Sequence, residues 1–336
     1  MDSNSIYFTF FIILVALTFD FVNGFHDSAN SIATVVSTRV LTPRIAVLWA
    51  SFFNFVAILL IGEPVARTVG TGIIRPEVVH NLLILSALAG AIAWNLITWW
   101  FGLPSSSSHA LIGGLIGVGL VEGGSNVLVW QGILKTTIFI VLSPVIGMVL
   151  GWTIMIIVLN VSKNSNLRRV DTIFRRLQLL SAAVYSSAHG MNDAQKTMGI
   201  IALVLYRGGY LGKTFHIPFW VIVACYLVIA LGTMAGGWRI VRTMGSKITK
   251  LQPSGGFSAE TAAAVSIIGA SIAGIPVSTT HTITGAVIGV GSVRRLTAVR
   301  WGVAESIVVA WILTIPMSAG LSAGLFLILR ECFQAA

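Results

Sequence analysis

The stretch Asn23-Gly-Phe-His-Asp-Ser-Ala-Asn30 puts a carboxyl group, two amides and a glycine into a segment that is otherwise apolar from Ile6 onward. Inside a bilayer an aspartate such as Asp27 costs roughly 3 kcal/mol even on the mildest insertion scales, so it calls for a partner ion, a proton or a water-filled cavity. The pattern returns as His189-Gly-Met-Asn-Asp-Ala-Gln-Lys196. At a constant offset of 166, Gly190 falls under Gly24, Asn192 under His26 and Asp193 under Asp27. One buried acid has become two, and the chain reads as a repeat.

Composition supports the bilayer. The 336 residues are 56% hydrophobic and only 10% charged, with a mean hydropathy of +0.91, whereas a soluble domain is about 25% charged. The net charge of +10 does not indicate nucleic acid, because lysine and arginine cluster between apolar spans and no basic run lies in a soluble fold. Cys225 and Cys332 are too few for a disulfide framework or a metal knuckle and read as packing residues. The N-terminus lacks a basic n-region and a cleavage site, so Ile6 to Val22 reads as a retained first helix.

Apolar runs of about 17–25 residues mark spans. Ten result: 6–38 and 179–206, each broken at its motif, with 45–62, 82–101, 105–121, 133–159, 217–237, 258–275, 276–292 and 303–329. The segments 105–121 and 276–292 are short, glycine-rich and open near Pro104 and Pro276, so they either span or re-enter as hairpins. With the N-terminus outside and every segment crossing, the inner loops hold 14 basic residues between Arg39 and Arg300. The outer loops and tail hold only Arg67, Arg75, Arg207, Lys213 and Arg330. The excess of positive charge inside places both termini outside.

A second internal match confirms the period. Gly102-Leu-Pro-Ser-Ser-Ser-Ser-His-Ala-Leu-Ile-Gly113 pairs with Gly274-Ile-Pro-Val-Ser-Thr-Thr-His-Thr-Ile-Thr-Gly285 at an offset of 172. The expected fold is therefore an all-α polytopic membrane protein of two repeats of about five membrane segments each. Residues 1–160 form the first repeat, 161–177 a short basic cytoplasmic linker, and 178–336 the second. An odd number of crossings per repeat inverts the second relative to the first. Broken helices or re-entrant hairpins then meet at the centre, an architecture common among secondary transporters.

Each motif carries its own chemistry. Asp27 with Asn30, and Asp193 with Asn192 and Gln195, offer oxygen ligands to a coupling ion, either a proton or a small hard cation. If that ion is a metal, Asp27 and Asp193 are the candidate ligands. Asn23, His26 and His189 flank these sets as secondary candidates. Lys196 stands where the first repeat has Asn30, and either neutralises Asp193 or attracts an anion. Asp20, one turn before the first motif, is either a further ligand or an interfacial cap. Ser106, Ser107 and Ser108, and Ser278, Thr279 and Thr280, follow a proline and lead into glycine-spaced helices, so they mark helix N-termini. Free N–H groups and the positive dipole end make such termini anion sites, to which hydroxyls add donors. His109 and His281 are either packed core residues or proton carriers. Asn95 and Glu260 are minor candidates on adjoining spans. Trp99, Trp100, Trp130, Trp220 and Trp301 read as interfacial anchors.

With these four motifs in hand, the chain resembles the inorganic phosphate transporter (PiT) family, its bacterial low-affinity Pit branch above all. The likeness extends to Gly232-Thr-Met-Ala-Gly-Gly-Trp-Arg239 and Ser258-Ala-Glu-Thr-Ala-Ala-Ala264. The family signature runs Gly-Ala-Asn-Asp-x-Ala-Asn. Here Phe25-His26 replace Ala-Asn in the first copy; in the second, Met191 replaces Ala, and Gln195-Lys196 replace Ala-Asn. The resemblance implies a symporter of inorganic phosphate, with arsenate as an analogue, in the bacterial plasma membrane. It implies proton or sodium coupling without a cofactor, and in some members carriage of metal–phosphate complexes. A homodimer and an accessory subunit related to PhoU accompany some relatives. Asp27 and Asp193 would serve the coupling ion, and the Ser/Thr helix ends would hold the oxyanion. Two rivals are an intramembrane serine hydrolase, built on Ser108-His109 or Thr280-His281, and a passive anion channel. Adjacent helical residues point about 100° apart, which suits a nucleophile–base pair badly.

Overall fold

The computed structural model describes residues 6–60, 62–212 and 214–334; Lys213, expected in an outer loop, lies outside them. Its first six helices are α1 (Ile6–Ser37), α2 (Pro43–Val56), α3 (Pro64–Thr71), α4 (Asn81–Phe101), α5 (Ser107–Gly123) and α6 (Trp130–Ser162). Six more follow in the same order of long and short: α7 (Leu167–Arg207), α8 (Phe219–Ala235), α9 (Trp238–Arg242), α10 (Pro253–Ile272), α11 (Thr279–Arg294) and α12 (Trp301–Gln334). Local chemistry sets the ends. Proline opens α2, α3 and α10, where its missing N–H costs nothing. Gly102, at φ 66°, stops α4, and Gly274, also at φ 66°, follows α10.

Six helices, α1, α4, α5, α6, α10 and α12, are long and apolar enough to cross a membrane. The pairs α2–α3 and α8–α9, each bent by more than 40°, raise the count to eight. Of the ten expected segments the other two are α7 and α11; α11 has only 16 residues. The breaks do not fall where the sequence suggested. α1 and α7 run unbroken through their motifs, because each motif glycine serves a helix crossing and leaves the backbone ladder intact. A Cβ on Gly24 would lie 2.3 Å from the Ile229 carbonyl oxygen of α8, and one on Gly190 would lie 2.6 Å from that of Asn54 on α2. The linker is also shorter than expected. Its non-helical part is 163–166, and the rest of 161–177 is helical.

The discontinuities lie instead in two helical hairpins, α4–α5 and α10–α11. The base of the first is closed by an antiparallel bridge between Ile74 and Leu128. The base of the second is closed by Arg300 N–H donating to the Ile248 carbonyl at 2.9 Å. The tip residues Pro104, Ser105, Gly274 and Ile275 are buried in protein, the condition under which irregular backbone is tolerated at membrane depth.

Short helices hold both tips. Thr243, just beyond α9, donates to the Gly102 carbonyl at 3.0 Å, and Thr68 on α3 donates to the Gly274 carbonyl at 2.7 Å. Each hairpin tip is thus fastened by the half of the chain it does not belong to.

Hairpin arms and long helices approach through glycine. A Cβ on Gly285 of α11 would sit 2.1 Å from the Pro144 oxygen of α6, and one on Gly117 of α5 would sit 2.2 Å from the Ala319 oxygen of α12. Backbone cannot yield as a flexible side chain can. Gly285→Ala and Gly117→Ala are each expected to cost about 1–3 kcal/mol or more through overpacking. Gly269→Ala, with nothing within 4 Å of its Cβ, should be neutral or gain up to about 1 kcal/mol of helix propensity. Thermal unfolding of the three detergent-solubilised variants checks this order.

Candidate functional site

The two motifs and the two hairpin ends meet at one buried centre. Asp27 is 2% exposed, Asp193 and Ser107 0%, and Thr279 1%, so the centre is closed to both faces. Ser106 and Ser278 each cap their helix, accepting from the N–H of His109 at 3.3 Å and of His281 at 3.2 Å. Capping turns the next two hydroxyls of each end inward. Ser107 donates to Asp27 Oδ2 at 3.0 Å, and its counterpart Thr279 donates to Asp193 Oδ2 at 3.3 Å. Thr280 reaches across to Asp27 Oδ1 at 3.4 Å.

A second correspondence crosses between halves. Asn30 Nδ2 donates to Thr280 at 2.8 Å, and Lys196 Nζ donates to Ser108. Lys196 also pairs with Asp193 Oδ1 and donates to the Val277 carbonyl, the latter at 3.0 Å. Of the two roles open in the sequence, neutralising Asp193 is the one the structure displays.

His26 Nδ1 lies 2.7 Å from Asp27 Oδ1, and its Nε2 lies 3.2 Å from the Thr98 hydroxyl and 3.3 Å from that of Ser105. His189 Nε2 lies 3.2 Å from Asp193 Oδ2, and its Nδ1 lies 3.4 Å from Asn54 Oδ1. One ligand atom from each of Asp27, His189 and Asp193 falls within 4.8 Å of the others. Two carboxylates and an imidazole this close fit a small cation or a shared proton. Asn23 accepts from Ser107 and so orients the hydroxyl that faces Asp27.

Other expected residues lie elsewhere. Gln195, expected among the coupling-ion ligands, instead accepts from Val65 N–H at 3.0 Å and Ala66 N–H at 3.3 Å, capping α3. The first motif does the same for α9, since Ser28 accepts from Gly237 N–H. Asn192 donates to Ser271 at 2.7 Å and ties α7 to the second hairpin. Glu260 is away from the Ser/Thr ends, held by Gln178 at 3.0 Å and by Ser181. Asn95 is buried with no partner for either amide atom among the described residues. Asp20 is no interfacial cap, because it is fully buried and accepts from Thr197 at 2.9 Å.

His109 and His281 pack on each other across the two hairpins, ring centroids 4.7 Å apart, and His281 stacks on Trp311 at 3.9 Å. Neither takes a proton from its neighbouring hydroxyl, and Ser108 is committed to Lys196. The hydrolase rival therefore lacks its nucleophile–base bond. Residues that sequence reasoning missed are Thr98, Ser105, Asn54 and the Val277 carbonyl. Ser105 lay inside a quoted motif. A main-chain oxygen such as that of Val277 leaves no mark on side-chain identity.

A multi-pass helical protein with paired acids facing paired helix N-termini at a closed centre belongs to the class of membrane transporters for small anions. The profile of the Phosphate transporter family matches residues 23–322, and the chain belongs to that family. It is 60% identical over 312 residues to a probable low-affinity inorganic phosphate transporter of Rhizobium meliloti, covering 93% of each chain. It is 44% identical over 327 residues to a protein of the same description from Bacillus subtilis, covering 97% of this chain and 98% of that one. A solved structure described as the sodium-dependent phosphate transporter superposes with a TM-score of 0.87 at 30% identity. That match covers 97% of this chain and 100% of that one. The chain is a phosphate transporter and not an enzyme.

Proposed function

We propose that this transporter is a symporter, carrying inorganic phosphate across the bacterial plasma membrane on the gradient of a coupling ion. The supporting observation is the paired contact of Ser107 with Asp27 and Thr279 with Asp193, which puts each ion-binding acid against an anion-binding helix end. An oxyanion entering between the helix ends would take over these hydroxyls, and the freed carboxylates would require a cation. Anion and cation then stabilise one another, which is what obligatory coupling needs. A passive channel has no use for such an arrangement.

The halves act as inverted repeats with both termini outside, and α3 and α9 serve as covers that release one hairpin tip at a time. Arsenate is carried as an analogue, and metal–phosphate complexes are a further form of the substrate. A homodimer and a PhoU-like accessory subunit are the partners this reading accommodates.

The proton is the coupling ion we favour, shared by Asp27 and His26 across 2.7 Å. Sodium is the second reading, supported by the carboxylate–imidazole cluster and by the sodium-dependent neighbour. Proteoliposomes given a proton or a sodium gradient one at a time, with and without magnesium, separate them. Uptake should follow the proton gradient; uptake driven by sodium alone would overturn the coupling assignment.

A further inference from the structure

We propose that the ammonium group of Lys196 permanently fills the place of one cation at the central site, so that the chain needs one mobile cation fewer than its paired acids would otherwise demand. The inference rests on the symport reading above.

Three observations carry it. The ammonium lies among Asp193 Oδ1, the Ser108 hydroxyl and the Val277 carbonyl, the carboxylate, hydroxyl and main-chain oxygens that a hard monovalent cation takes. A lysine has three N–H donors. All three are used here by acceptors, in a side chain only 1% exposed, which leaves none for an oxyanion.

The second observation is the contrast between halves. The repeat brings Asn30 Nδ2 to Thr280 at 2.8 Å, in the position that Lys196 Nζ occupies against Ser108. That amide is neutral. Asp27 therefore has hydroxyl and imidazole neighbours but, among the described residues, no lysine or arginine. The third is the charge balance. Two central carboxylates face one fixed ammonium, so one negative charge, at Asp27, is left for a mobile ion. Asp20, the other acid of α1 near the centre, is engaged by Thr197 at 2.9 Å.

The test uses the full-length protein in neutral phosphatidylcholine nanodiscs, with Lys196→Asn, which removes the charge but keeps an oxygen ligand, and Lys196→Arg, which keeps the charge. The first readout is thermal unfolding against sodium chloride, balanced with choline chloride and without phosphate. It decides the inference even if transport proves absent in every protein. Sodium should raise the melting temperature of Lys196→Asn by several degrees more than that of the wild type, because an ion bound only by the folded state stabilises it. Lys196→Arg should respond as the wild type does.

The second readout is uptake in proteoliposomes. Lys196→Asn should require one further sodium ion per phosphate than the wild type, seen as a steeper sodium dependence of the rate. If sodium affects Lys196→Asn and the wild type equally, the inference fails. It also fails if the substitution only raises the KM for phosphate without changing the response to sodium, since Lys196 would then be an anion ligand.

Discussion

Asp27→Asn is expected to give a folded, membrane-inserted protein that no longer accumulates phosphate, whereas Asp193→Asn is expected to unfold before its transport can be measured. From the sequence the two acids look interchangeable. The structure breaks that equivalence through their partners. Asp27 is surrounded by Ser107, Thr280 and the His26 imidazole, all of which an amide can face without leaving a fixed charge exposed. Loss of its charge removes the coupling ion's site and should cut gradient-driven accumulation about a hundredfold, the upper range for coupling between two ligands.

Asp193 instead holds the Lys196 ammonium at 1% exposure. Removing one partner of a buried ion pair costs about 3–5 kcal/mol, because the other charge stays behind. Thermal unfolding of Asp27→Asn, Asp193→Asn and the double variant Asp193→Asn with Lys196→Gln measures this. The double variant should recover most of the lost stability. Equal stability of the two single variants would mean that Lys196 is not paired as the structure has it.

The second large effect concerns selectivity. Sulfate should compete with phosphate roughly a thousandfold less well than arsenate does, within the range for sites that leave a buried polar group unmatched. Helix ends and hydroxyls alone would hardly separate tetrahedral oxyanions. At neutral pH phosphate and arsenate keep a proton and sulfate keeps none. A carboxylate beside the anion accepts a hydrogen bond from the first two and repels the third.

The contacts of Ser107 with Asp27 Oδ2 and Thr279 with Asp193 Oδ2 place such a carboxylate at each helix end. Ser107→Ala and Thr279→Ala should therefore weaken phosphate and arsenate together, by roughly 1.5–3 kcal/mol each for a hydrogen bond to a charged group. The preference over sulfate should survive. Competition assays of phosphate uptake decide it; strong inhibition by sulfate in the unmodified protein would reduce the site to a general oxyanion pocket.

The sequence revealed the centre more fully than the frame around it. Two offsets, 166 and 172, were enough to align Asp27 with Asp193 and Ser107 with Thr279, because exchange-resistant polar residues in apolar spans stand out against their background. The continuity of α1 and α7 was hidden, since a glycine that breaks a helix and one that lets another backbone approach look alike until the partner is known. Gly24 and Gly190 are of the second kind.

Contacts between halves were equally invisible. Thr68 and Thr243 fasten hairpin tips 206 and 141 residues away, and nothing about a lone threonine announces that. Gln195 was misplaced for the same reason, its amide being spent on α3. Lys196 lay between these cases. Its i, i+3 spacing from Asp193 suggested the ion pair, but Ser108 and the Val277 carbonyl, which complete its shell, come from two other segments.

The central claim is that one phosphate lies between the N-termini of α5 and α11, against both acids. Crystals of the protein grown with arsenate, with anomalous scattering recorded at the arsenic edge, locate the anion without reference to any protein atom. The account predicts a single strong arsenic peak within hydrogen-bonding distance of the Ser107 and Thr279 hydroxyls. A peak elsewhere, with those hydroxyls still bonded to Asp27 and Asp193, would contradict it.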